Sequence, residues 1–137
     1  MKRGAILSLL LLLTSCSHGS AISRQELHSL IRSFSSLASD TELALDYMRE
    51  GRLTSTFATG HIQYIQNELQ KDIKQLDRST PAPGVEQAFE DSQQNVKALS
   101  SELVIISSDI NAGKDISTEK GRIERTRLAL EQTGASL

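Results

Sequence analysis

The chain has 137 residues, with 15 Lys and Arg against 17 Asp and Glu, so one domain of nearly neutral charge is expected. Aromatic residues are 4% and there is no Trp, and the balance of charge gives no basic face, which together argue against nucleic acid as a partner. A single Cys excludes an intramolecular disulfide and a multi-cysteine metal site, so stability must come from packing.

Lys2 and Arg3 are followed by an apolar run from Ala5 to Leu13, interrupted only by Ser8. That run is about half the ~20 residues that a membrane-crossing helix needs, and it reads as a secretory signal. It ends in Leu13-Thr14-Ser15-Cys16: an aliphatic residue, two small residues, then the only thiol of the chain. These four residues resemble the lipobox of bacterial lipoproteins. The resemblance covers only the first sixteen residues. It implies that Cys16 receives a diacylglyceryl thioether, that the chain is cut before it, and that the new amino terminus is acylated. Several acyl chains on one residue make a stable membrane anchor, at roughly 0.8 kcal/mol per buried methylene. Ser17 stands where that family's inner-membrane retention signal has Asp, which implies the periplasmic face of the outer membrane in a cell with two membranes. The competing reading is ordinary cleavage after Ala21 with Gly19 at −3, which would leave Cys16 incidental. On the lipoprotein reading, residues 1–15 are the signal peptide, residues 16–22 the lipidated Cys and a short polar tether, and residues 23–137 the folded domain.

From Ser23 onward apolar residues recur at helical spacing. Leu27, Leu30, Phe34, Leu37, Thr41, Ala44 and Met48 make a core-facing stripe widened by Ile31, Ala38 and Leu45. Ser23-Arg24-Gln25-Glu26 fits a capping box at its start, and Gly51 suits a left-handed stop at its end. A second segment, from about 54 to 78, carries Ala58, Ile62, Ile65, Leu69, Ile73 and Leu76, with Gly60 as an internal cost. Thr80-Pro81-Ala82-Pro83-Gly84 breaks the chain. The third segment steps by four and three through Val85, Phe89, Ser92, Val96, Leu99, Leu103, Ile106 and Ile110, and Asn111-Ala112-Gly113 closes it. The fourth, from near Ser117 to about Gln132, offers only Ile123, Thr126 and Leu130, with Ile116 just before it. Short turns force neighbours to run antiparallel. The expected fold is all-α, an up-down-up-down four-helix bundle. The alternative is a three-helix bundle with a loose C-terminal helix.

No catalytic or cofactor constellation is found. His18, His28 and His61 lack the Glu-x-x-His spacing of di-iron bundles, and Cys-x-x-Cys-His is missing. Met48 and His61 could flank a haem only if Met48 were not core filler, which is the commoner role of Met on a helical stripe. Asp40, Glu42, Asp46 and Glu50, with Glu90 and Asp91, lie off the stripes and read as solvated carboxylates. Lys120, Arg122, Arg125 and Arg127 alternate with acids, Lys120–Glu124 and Arg127–Glu131 having pairing distance along a helix, with lipid headgroups as a further possible contact. Val104 and Ile105 are apolar yet off the seam of the third segment, where a partner could meet them.

The expectation is therefore a lipid-anchored envelope protein that is no enzyme, carries no cofactor or metal, and acts through contact with another envelope protein. A ligand-binding or sensory bundle is the alternative, and Thr41, Ser92 and Thr126 are the polar groups inside the stripes that could serve it.

Overall fold

Ser23 begins the first helix with the expected reciprocal cap. Its hydroxyl accepts from the Glu26 N–H at 3.2 Å, and the Glu26 carboxylate accepts from the Ser23 N–H at 2.8 Å. In this computed structural model, which describes residues 20–137, the chain runs through β1 (Ala21–Ile22), α1 (Arg24–Arg49), α2 (Ser55–Asp77), β2 (Thr80–Pro81), α3 (Glu86–Asn111) and α4 (Ser117–Ala135). The signal segment and Cys16 lie outside the described residues. None of the described helices is long and apolar enough to cross a membrane.

Local chemistry accounts for the ends. Gly51 follows α1 at φ 69° and Gly113 follows α3 at φ 67°, a backbone region that costs an L side chain energy and glycine little. Thr54 accepts from the Phe57 N–H and opens α2. Asp115 accepts from the N–H and the hydroxyl of Ser117, supplying at the start of α4 an acceptor that Ile116 lacks.

The four helices form a bundle in which α1 lies beside α2 and α4, and α3 beside the same two. Pairings between helices fix their directions. Ser33 bonds Asp72, Gln70 bonds Ser100 and Thr59 bonds Asn111, while Asp46 meets Lys120 and Glu42 meets Arg127. In each neighbouring pair a residue early in one helix meets one late in the next, so the bundle is up-down-up-down. The stripes read from the sequence supply the core: Leu27, Ile31, Phe34 and Leu45 of α1, Ile62, Ile65, Leu69 and Leu76 of α2, and Leu99, Leu103 and Ile106 of α3 are fully buried. So are Ile123 and Leu130 of α4. That helix packs against α1 and α3, so the loose-tail alternative is set aside. It also extends past Gln132 to Ala135 and buries Thr133 and Gly134.

Two short features position the end of the bundle where the chain enters. Ala21 and Ile22 pair in parallel with Thr80 and Pro81, and Ile22 is 3% exposed. Residues 21 and 22, read from the sequence as the last of the tether, are thus seated on the α2–α3 connection. An Arg24 guanidinium N–H donates to the Leu137 carbonyl, closing the other side of the same end.

Candidate functional site

Among the described residues, Thr41, Ser92, Asp109, Glu119 and Thr133 are the buried polar ones, and one Glu119 carboxylate oxygen has no hydrogen-bond partner. Thr41 donates to the Leu37 carbonyl at 2.9 Å and Ser92 to the Ala88 carbonyl at 2.6 Å, each within its own helix. Thr126 is only half-buried. The hydroxyls that could have faced a ligand from inside the stripes are therefore either spent on backbone or at the boundary. Among the described residues, no group of three or more His, Cys, Asp or Glu side chains is placed to hold a metal ion. Met48 is half-buried against the core and lines a cavity of about 120 Å³ with Leu45 and Ile116. His61 is not part of that lining; its ring stacks on Tyr64, with centroids 6.3 Å apart. His28 is exposed.

The charged residues of α4 are engaged between helices. Lys120 donates to Asp46 at 2.6 Å, where the sequence suggested Glu124 as its partner. Arg127 bridges Glu42 at 2.7 Å and Glu131 at 2.8 Å, and these carboxylates hold its guanidinium above the usual arginine range. Arg122 reaches Glu102 of α3 at 3.5 Å. Glu42 and Asp46 are thus docking partners for α4, a role that apolar periodicity could not reveal.

The surface is more informative. Val104 is 61% exposed and Ile105 38%. Val104 is one turn from Ser100 and two turns from Asn111, both bonded to α2, so it stands on the α2-facing flank of α3. A second apolar feature lies across α2. Phe57, His61 and Tyr64 are spaced i, i+4, i+7 on α2. His61 is about three turns from Asp72, which bonds Ser33 of α1, while Phe57 and Tyr64 sit roughly 60° and 80° round from Asp72, away from the apolar stripe. Phe57 is 62% and Tyr64 57% exposed, on the solvent side of α2. Tyr47 of α1 is half-buried, and the Arg52 guanidinium covers its ring at 4.1 Å. Of the three Phe and two Tyr in the chain, the core takes only Phe34 and Phe89. Of the other three, Phe57 and Tyr64 are exposed on α2 and Tyr47 is half-buried near the end of α1. The sequence reading did not single out Phe57; the four-and-three spacing on a face opposite to no apolar stripe was the available signal.

These features define a four-helix bundle with exposed apolar side chains on α2 and α3. Compared with known proteins, the chain matches no family model, no curated protein and no solved structure.

Proposed function

We propose that this protein is a lipid-anchored component of the bacterial cell envelope, held by acyl chains on Cys16, whose non-catalytic bundle works by contact with another envelope protein as an adaptor, accessory or assembly factor. In a cell with two membranes it would stand on the periplasmic face of the outer one. The anchor rests on Leu13-Thr14-Ser15-Cys16 behind the apolar run. The contact role is supported above all by Phe57 and Tyr64, exposed on one side of α2, because aromatic rings left in water are costly to a monomer and rewarding at an interface. Val104 and Ile105 form a second, smaller apolar surface on α3. The core hydroxyls, satisfied by their own helices, give a ligand-binding reading no support.

Mass spectrometry of the N-terminal peptide should find lipid on Cys16, and Cys16→Ala should release the protein from membranes. A C-terminal tag on the membrane-bound protein should capture a partner that is lost with Phe57→Asp and Tyr64→Asp while helicity by circular dichroism is unchanged. Val104→Asp with Ile105→Asp tests the second surface in the same way. An unmodified thiol would refute the anchor; capture indifferent to both pairs would refute these contact surfaces.

A further inference from the structure

At the end where the chain enters the bundle, a groove of about 470 Å³ opens between β1 and the last turns of α2. Ser20 lines it, together with Glu26, Lys71, Lys74, Arg78 and Ser79. Its lining carries three cations and one carboxylate. Glu26 is already committed, accepting from the Ser23 N–H and hydroxyl at 2.8 and 2.7 Å. Lys71 reaches Glu68 at 2.6 Å, whereas Lys74 and Arg78 join no ion pair among the described residues. Cations near a helix C-terminus complement its dipole, which accounts for one of them. It does not account for two like charges at i, i+4, which repel along the helix unless an external anion compensates them.

The position of the groove names that anion. Ser20 lies four positions after Cys16, and a fully extended chain covers at most about 14 Å over that length. Acyl chains on Cys16 would hold the groove close to the bilayer surface, within the ~8–10 Å over which an anionic surface is felt, or only slightly beyond it. The opposite corner of the same end is acidic, since α3 begins with Glu86, Glu90 and Asp91. Asp72 and Asp77 lie among the cations of α2, and Asp72 bonds Ser33. An anionic surface would be repelled by the α3 corner and met at the groove by Lys74 and Arg78.

We propose that Lys74 and Arg78, with Lys71 beside them, bind the headgroups of anionic phospholipids in the membrane that anchors the chain, and so set the bundle's orientation on it. The proposal rests on the lipid-anchor reading, and it assigns to the α2 end the headgroup contact that the sequence had suggested for α4.

The full lipidated protein, reconstituted in vesicles of phosphatidylcholine alone or of phosphatidylcholine with phosphatidylglycerol, tests it through lysine acetylation by a membrane-impermeant reagent. Lys74 should be acetylated several-fold more slowly on the anionic vesicles, and the difference should vanish at high salt. Lys97 and Lys114, on α3 and at the far end, should label equally on both. Lys74→Gln with Arg78→Gln should abolish the difference at Lys71 and leave helicity unchanged. Equal labelling of Lys74 on both vesicle types, or equal shielding on both, overturns headgroup binding while the anchor stands. Intact mass without lipid on Cys16 overturns the anchor, and this proposal with it.

Discussion

Gly60 and Gly134 are both helical glycines, yet their surroundings differ. A Cβ at Gly60 would meet nothing within 4 Å, and the position is exposed in the interior of α2. Gly60→Ala should therefore raise stability by up to about 1 kcal/mol, through lower entropy of the unfolded chain and better helix propensity. A Cβ at Gly134 would sit 3.2 Å from Cγ2 of Ile31, where α4 comes closest to α1. Gly134→Ala should bring no gain, because Ile31 is 1% exposed and hemmed in. Chemical denaturation of the two variants checks this; a gain at Gly134 equal to that at Gly60 would show that the α1–α4 approach is loose. At this scale the sequence is legible wherever a residue answers to its own backbone. The Ser23–Glu26 box and the Gly51 stop involve near neighbours only. The burial of Ile22 depends on Thr80 and Pro81, nearly sixty residues on in the chain, and nothing local announces it.

At the scale of elements, α1, α2 and α3 are readable because each keeps a continuous apolar stripe. Helix α4 is readable only as a thin stripe, Ile123 and Leu130, because its inward edges are secured by charge: Lys120 and Arg127 to α1, and Arg122 to α3. The candidate contact surface divides in the same way. Val104 and Ile105 stand out in the sequence as apolar residues beside a regular seam, whereas the exposure of Phe57 and Tyr64 is fixed only once the stripe of α2 is packed. The Arg127–Glu42 pair is the most sheltered of the cross-helix pairs, with side chains 20% and 18% exposed. A double-mutant cycle with Arg127→Gln and Glu42→Gln should give a coupling of about 1 kcal/mol, above the median for surface pairs, and it should shrink as salt is added. Coupling within error of zero would mean that this pair does not hold α4 to α1.

The whole molecule has two unlike ends. The chain enters at the basic groove, and the exposed rings of Phe57 and Tyr64 lie toward the opposite end, near the α1–α2 turn. A helix of 26 residues is about 39 Å long, so an anchored bundle standing upright would lift Phe57 well clear of the headgroups and offer it to a partner in the aqueous space. A bundle lying flat would press the same ring against lipid, where an exposed Phe would serve the membrane instead of a protein. The absence of Trp from the chain makes these postures separable. A single Trp introduced by Gln75→Trp, at the groove, should be quenched strongly by spin-labelled headgroups in vesicles carrying the lipidated protein. A single Trp introduced by Phe57→Trp should be quenched weakly, because quenching falls away over roughly a headgroup's depth while the two positions are 18 residues apart on one helix, about 27 Å. Equal quenching at both would lay the bundle along the membrane, and Phe57 and Tyr64 would then read as lipid-facing.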